Sequence, residues 1–495
     1  MASRILFCSP EVAPYAKTGG LADVAAALPG ALKKRGYDVR IFMPLYRCVG
    51  DQTMDLEPVG QEAPGGDSIP VGARDFHVHF LQTATEEGVP VYFLEKDEFF
   101  DRSHLYGSPR RGDYEDNPER FIVFCRAIEP LCHRLNWFPQ VLHLHDWQAA
   151  LTSAYRRFPQ SPDSPLAGAA TVLTIHNLGY QGLFPAARFP LTGLPPQLFS
   201  PSGMEFWGQC NFLKAGLVYS DLLTTVSPSY SLQIQQPQWG HGLEGVLQQR
   251  AGRLRGILNG VDTKVWDPET DPLIPCNYTV EKMSGKRRCK ESLMRELGWP
   301  EKQAARQPLL GMIGRLADQK GFDLLREILP RLMKRPLFLA ILGTGDAATE
   351  KSLREAAKQY PERLRVLLRF DERLAHTIEA ASDIFLMPSR YEPCGLNQMY
   401  SLRYGTIPLV HATGGLEDSI VDVSKEPDKG FGVKFRQYTG ESFLQAVETA
   451  LELHAHEESW KRIRERAMLQ DVSWARAARS YEEVYEEAVE KRDKD

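Results

Sequence analysis

The stretch Ile384–Ile420, IFLMPSRYEPCGLNQMYSLRYGTIPLVHATGGLEDSI, limits the possible folds more than any other part of the chain. It contains two apolar runs, Ile384–Met387 and Ile407–Val410, each too short for a helix. Each run ends in a turn cluster and is followed by a helix-like segment, which is the βαβα pattern of a parallel sheet. The turns are Ser389–Gly395 and Thr413–Leu416. Ligands of open parallel sheets bind beyond the carboxyl ends of the strands, and helix N-termini there offer N–H groups to anions. Both loops are therefore expected to open onto one crevice, with Glu392 the one carboxylate in the first loop.

A chain of 495 residues exceeds the size at which a single core stops growing, so two domains are expected. A formal net charge of -5 gives no reason to expect a nucleic-acid partner. The eight cysteines include no C-x-x-C pair and read as reduced thiols of a cytoplasmic protein. The sequence has no secretory h-region and no apolar run long enough to span a bilayer, so no membrane association is expected.

The N-terminal half begins with strand Ile5–Cys8, a long loop containing Lys17-Thr18-Gly19-Gly20, a helix through Val24–Lys34 closed by Gly36, and strand Asp38–Met43. Lys17 beside Gly19 and Gly20 suits a phosphate or sugar oxygen, and equally a solvated loop. Thr18-Gly19-Gly20-Leu21-x-Asp23 returns as Thr413-Gly414-Gly415-Leu416-x-Asp418, which suggests two similar domains with matching loops. Residues 50–120 mix strand patterns with a polar segment, Asp101–Asn117, that has room for a lid.

A helix over Glu119–Leu135 leads to strand Val141–Leu144, and Asp146 reads as the N-cap of the next helix. His143 and His145 would share one face of the strand, but no third ligand is nearby and no metal is expected. Strand Thr171–Ile175 ends in His176-Asn177. Trp137, Trp147, Tyr180, Phe184 and Trp207 are expected to cluster here, as core or as sugar-stacking surfaces. The hinge is expected near Ile257–Asp262, and the proline-marked Asp267–Pro275 reads as a connector.

In the second half, Arg315 and Lys320 follow strand Leu309–Ile313 in a glycine-flanked loop and would suit a diphosphate. Gly343-Thr344-Gly345-Asp346-Ala347-Ala348, with Asp371 downstream, matches a dinucleotide fingerprint and supports a rival reading as an NAD-dependent oxidoreductase. A last helix, Ser473–Val489, carries one apolar stripe: Trp474, Ala477, Ala478, Tyr481, Val484, Tyr485 and Ala488.

Read together, KTGGLAD at 17–23, HDWQ at 145–148, TIHN at 174–177, NFLKAG at 211–216, LNGVD at 258–262, GRL at 314–316, QKG at 319–321, EPCGL at 392–396 and TGGL at 413–416 resemble the bacterial glycogen synthases and plant starch synthases. The resemblance implies an α/β protein of two Rossmann-like domains facing across a deep cleft, the GT-B arrangement. The domains would be 1–256, binding glucan, and 257–472, binding the nucleotide sugar, with helix 473–495 crossing back to the first. It implies retaining transfer of glucose from ADP-glucose to the non-reducing end of an α-1,4-glucan, with UDP-glucose or a small acceptor as the alternative, and no cofactor.

Carried over residue by residue, the catalytic set is Glu392, His176, Arg315, Lys320 and Asp146. Donor contacts would come from Lys17, Gly19, Gly20, Asn259, Arg315, Lys320, Cys394, Gly395, Leu396, Thr413, Gly414 and Gly415, and acceptor contacts from Trp147 and Tyr180. The only D-x-D triplet is Asp493-Lys494-Asp495, which argues against a metal-bridged diphosphate. Two positions depart from related enzymes. Tyr400 stands where many retaining transferases carry a second Glu, and His411 stands where this family often has Arg. A phosphate contact by His411 would weaken activity above pH 7.

Overall fold

A computed structural model describes residues 3–52, 54–60, 65–108, 112–159, 161, 163–304 and 306–492. The chain divides into two compact units. The first takes the chain up to Val226, Ser231–Ile257 and everything from Trp474, and the second takes Ser227–Tyr230 and Leu258–Ser473.

The first unit is built on seven parallel strands. These are β1 (Arg4–Cys8), β2 (Asp38–Pro44), β3 (Pro90–Glu95), β4 (Val141–His145), β5 (Ala170–Ile175), β6 (Leu222–Thr225) and β7 (Leu254–Gly256). Their order across the sheet is β7-β6-β5-β4-β1-β2-β3, and antiparallel strands Arg74–Ala84 and Glu57–Pro58 extend the β3 edge. Runs such as Ile5–Cys8 and Val141–His145 are buried at every position, because helices cover both faces of the sheet. The chain builds outward from β1 to β3 and then returns to the other flank of β1 at β4, so the order reverses between β1 and β4.

The crossovers include α1 (Gly20–Lys34), α2 (Asn117–Arg126), α3 (Asp146–Arg157) and α4 (Phe212–Tyr219). Asn211 caps α4 by accepting the Lys214 N–H at 2.9 Å.

The second unit repeats the plan. Strands β8 (Leu309–Ile313), β9 (Phe338–Leu342), β10 (Leu364–Leu367), β11 (Ile384–Met387), β12 (Ile407–His411) and β13 (Val433–Phe435) run parallel in the order β10-β9-β8-β11-β12-β13. Helices α5 (Phe322–Leu332), α6 (Ala347–Gln359), α7 (Glu372–Ala381), α8 (Asn397–Arg403) and α9 (Gly414–Ser419) connect them. Here the order reverses between β8 and β11, the doubly wound topology in which ligands bind at the switch.

The last helix, α10 (Trp474–Arg492), packs on the first unit. All seven residues of its predicted stripe are buried. The Tyr485 hydroxyl lies 2.9 Å from His143 Nδ1, and Glu487 pairs with Arg255 at 2.6 Å. Among the described residues no helix is long and apolar enough to cross a membrane.

Several sequence expectations need correction. The helix expected over Glu119–Leu135 is two helices, Asn117–Arg126 and Ile128–Arg134, because Pro130 has no N–H for the Arg126 carbonyl. Asp267–Pro275 is no connector: Asp271 is buried in the second unit and accepts from Tyr404 at 2.5 Å and from His376 at 2.8 Å.

Of the lid expected at Asp101–Asn117, residues 109–111 lie outside the described residues and the flanks are pinned. Arg102 pairs with Asp116, and buried Arg120 donates to the carbonyls of Phe99 and Leu105. Asp493-Lys494-Asp495 also lies outside the described residues.

Candidate active site

At the switch of the second unit, the loop after β8 carries Arg315 and Lys320, and the loop after β11 carries Ser389–Gly395. Gly321 has a φ of 74°, and a Cβ there would lie 1.9 Å from the Pro388 carbonyl oxygen. Only glycine lets these two loops press together. The contact brings Lys320 Nζ to 2.6 Å from Glu392 Oε2, and Ser389 Oγ donates to the same oxygen at 3.0 Å. Backbone and amide bonds fix the register: Arg390 N–H donates to the Gln319 carbonyl at 2.8 Å, and Gln319 Nε2 to the Tyr391 carbonyl at 3.2 Å.

The Glu392 side chain is 8% exposed and that of Lys320 26%, so the pair sits partly dry with one side open. Arg315 is exposed, and its side chain has no hydrogen-bond or ion-pair partner among the described residues.

A third loop, after β12, braces this pair from behind. Gly415 N–H is shared between the carbonyls of Glu392 at 3.0 Å and Pro393 at 3.2 Å. A Cβ on Gly415 would lie 2.1 Å from the Cys394 carbonyl oxygen. The N–H expected to await an anion is thus spent on the Glu392 backbone. Gly395, at φ 73°, turns the chain into α8, where Asn397 anchors to the Ile313 carbonyl at 2.9 Å. Burial pushes the Cys394 thiol up to about 12, so it is no nucleophile. Asn259 is buried beside it, and its Oδ1 has no hydrogen-bond partner among the described residues.

Both ring nitrogens of His411 face backbone carbonyls. It is buried, with Nδ1 2.7 Å from the Ser389 carbonyl, Nε2 3.3 Å from the Arg436 carbonyl, and its ring against Phe435 and Tyr438. Burial lowers its pKa against the pull of the two carbonyls.

In the first unit the switch gathers the loops after β1 and β4. The Glu11 carboxylate accepts from the Thr18 N–H at 2.5 Å, the Thr18 hydroxyl at 2.6 Å, the Gly19 N–H at 3.3 Å and the Tyr106 hydroxyl at 2.7 Å. It therefore takes the backbone N–H groups just ahead of α1, in the loop whose sequence suits a phosphate or sugar oxygen. Lys17 is half-exposed and pairs with Asp23 at 2.6 Å.

Asp146 is not the N-cap: His145 holds that position, and Asp146 is the first residue of α3 with a φ of 54°. Its carboxylate instead crosses to the end of β5 and accepts the His176 N–H at 2.7 Å. Burial pushes the Asp146 carboxyl up to about 7, against backbone N–H groups of His176 and Asn177. His176 Nε2 lies 2.9 Å from His145 Nδ1, and burial pushes His176 down to about 3, so it is neutral. Among the described residues no cluster of three His, Cys, Asp or Glu is placed to hold a metal ion.

The expected aromatic cluster separates. Trp137 lies at the opposite end of the sheet, donating to Asp38 at 2.7 Å. Trp147 is buried against Phe121 and Phe184, with Gly182 beneath its ring, so it is core and not an open acceptor surface. Tyr180 is 56% exposed and Trp207 82%.

The dinucleotide look-alike is explained by packing. A Cβ on Gly343 would lie 1.9 Å from the Gly314 carbonyl oxygen, and one on Gly345 2.3 Å from that of Leu316. These glycines make room for the Arg315 loop. Asp346 caps α6 and Asp371 caps α7. The motif also follows β9, away from the switch.

Sequence reasoning missed Glu11, Ser389 and His145. Glu11 was within reach, being the only carboxylate between Ser9 and Gly20, as Glu392 is in its own loop.

Two doubly wound units, one with a cation–carboxylate pair at its switch, fit a glycosyltransferase of GT-B fold, the class to which the known relatives belong. Residues 4–249 match the family described as starch synthase catalytic domain, and residues 294–468 match glycosyl transferases group 1. Glycogen synthase 2 of Geobacter sulfurreducens is 45% identical over 489 residues, covering 99% of each chain. Glycogen synthase of Syntrophotalea carbinolica is 46% identical over 490 residues, covering 98% of this chain and 99% of its own. The catalytic domain of starch synthase IV from Arabidopsis thaliana, solved with ADP and acarbose, superposes with a TM-score of 0.91 at 33% identity over 99% of this chain and all of that one. The chain belongs to the glycogen and starch synthase family and is a glucosyltransferase.

Proposed function

We propose that this protein is a cytoplasmic enzyme that transfers glucose from ADP-glucose to the non-reducing end of an α-1,4-glucan with retention at the anomeric carbon. The observation that carries this reading is the Lys320–Glu392 pair at 2.6 Å, with an exposed Arg315 on the same loop as Lys320, at the switch of the second sheet. A departing nucleoside diphosphate gains negative charge, and the two cations of this loop stabilise it without a metal. The bond from C1 to the β-phosphate oxygen breaks and a bond from C1 to the acceptor O4 forms on the same face. The acceptor's hydroxyl proton passes to the departing phosphate oxygen.

Glu392, buried and acceptor-only when ionised, supports positive charge on the donor sugar or holds its hydroxyls. His176, neutral and oriented by His145 and Asp146, presents a ring nitrogen to the glucose. Lys17, Asn259 and the loops 394–396 and 413–415 are read as donor contacts, and Tyr180 as an acceptor contact.

ADP is favoured because the starch synthase of 33% identity was solved with it. UDP-glucose is the alternative donor. The test combines the protein, glycogen and each nucleotide sugar in chelator, and measures nucleoside diphosphate release. ADP release is expected. Release of UDP alone would change the donor, and no release with any donor, alongside nicotinamide binding, would overturn the reading.

A further inference from the structure

A tryptophan occupies a turn whose backbone favours a small residue. Strands Glu205–Phe206 and Gln209–Asn211 pair antiparallel with Phe206 opposite Gln209, so the hairpin loop is Trp207-Gly208. Both residues have positive φ, 52° and 77°, as a type I′ turn requires, and such turns prefer Asn-Gly. A bulky residue at positive φ is strained, and this one gains no burial in return, since Trp207 is 82% exposed.

A second strained residue lies on the neighbouring loop. His241 is exposed with a φ of 49°. The adjoining Gly242 is so close to the hairpin that a Cβ there would lie 2.8 Å from Phe206 and 3.5 Å from the Trp207 indole nitrogen. Gln181 Nε2 donates to the His241 carbonyl at 3.1 Å, which ties in the loop that carries Tyr180, four residues past His176. Tyr180, Trp207 and His241 thus stand on three adjoining loops, and a Cβ on Gly179, next to Tyr180, would lie 3.8 Å from the His241 ring. The ionic groups beneath are used internally. Glu205 accepts the Gly208 N–H at 2.7 Å, and Lys214 donates to the carbonyls of Pro201 and Glu205.

We propose that Trp207, flanked by Tyr180 and His241, is a docking platform for an α-glucan chain, with the indole face stacked on a glucose ring. The chemistry is that of a neutral polymer with apolar ring faces and hydroxyl edges, matched by flat amphipathic rings. The inference rests on the glucan reading above.

The test uses the full chain and the variants Trp207→Asn and Trp207→Phe. Asn suits the turn, so W207N should unfold at the same or a higher urea concentration than wild type. Its retardation in native gels containing glycogen should weaken roughly 3–10-fold, the scale of one aromatic contact. Its KM for glycogen should rise in parallel, with the KM for nucleotide sugar held, and W207F should retain binding within about 2-fold.

Wild-type retardation in W207N would overturn the platform. So would a change in molecular mass of W207N with retardation intact, since the ring would then be a self-association contact. Gel retardation needs no turnover, so the platform is read even if no nucleoside diphosphate is released and the catalytic reading fails.

Discussion

Asp146 gives the sharpest quantitative test of the first unit. Its carboxyl is buried at the end of β4 and pushed from 3.8 to about 7. Between those values the unfolded chain has released this proton and the folded chain still holds it. The folded state therefore binds more protons, and stability falls as pH rises. The contribution is fully present below 3.8 and gone above about 7. Its size is on the order of 4 kcal/mol, an upper bound from about 1.4 kcal/mol per pH unit.

Asp146→Asn keeps an oxygen for the His176 N–H and suits the φ of 54°, but does not titrate. Other buried groups titrate nearby in pH, with Glu379 pushed up to about 8 and Lys286 down to about 7. The difference between the two chains cancels them. Urea unfolding of both, from pH 4 to pH 8.5, should show the variant gaining on the wild type steadily up to about pH 7 and holding its lead above that. A constant difference across the range would refute the reasoning, and a widening difference towards acid would show that Asp146 is ionised throughout.

In the second unit, Arg315→Ala and Lys320→Ala should each lower turnover by roughly 10²–10³-fold. Only K320A should also lose stability, by about 2–3 kcal/mol in urea unfolding, because it strands the buried Glu392 carboxylate. Gly321→Ala forces its Cβ onto the Pro388 carbonyl oxygen. Turnover should fall roughly 10²-fold with the fold retained by circular dichroism, since an error of about 1 Å at the Lys320–Glu392 pair is enough. The rate profile from pH 6 to 8 should carry no His411 inflection, because burial lowers its pKa and its ring faces backbone carbonyls, Phe435 and Tyr438. An inflection that disappears in His411→Asn would refute this.

The βα rhythm was legible because strands buried on both faces are short apolar runs, as at Ile384–Met387, and because the stripe of α10 repeats at helical spacing. What sequence could not show was partnership across the fold. Asp267–Pro275 looks like a linker until Asp271 meets His376 and Tyr404. Trp147 looks like a sugar platform until Phe121 and Phe184 enclose it. His411 looks like a lost phosphate ligand until its ring nitrogen reaches the Ser389 carbonyl. In each case a partner on another element, at least 22 residues away in the chain, decided the role.

The repeated TGGL shows how one local solution serves two purposes. The copies do not occupy equivalent places: one follows β1, the first strand of its sheet, and the other follows β12, the fifth of its own. Both start a helix against a loop that carries a glutamate, but they use the glutamate differently. In the first unit Thr18 and Gly19 take the Glu11 carboxylate itself, and Tyr106 takes what remains. In the second unit Gly415 takes the Glu392 and Pro393 carbonyls and not the carboxylate, which is left to Ser389 and Lys320. On the proposed function, Lys320 is shared between Glu392 and the diphosphate. As the leaving group draws Lys320 towards itself, Glu392 loses its counter-charge at the moment the donor sugar becomes positive. The glutamate that the helix leaves free is therefore the one whose charge can follow the reaction.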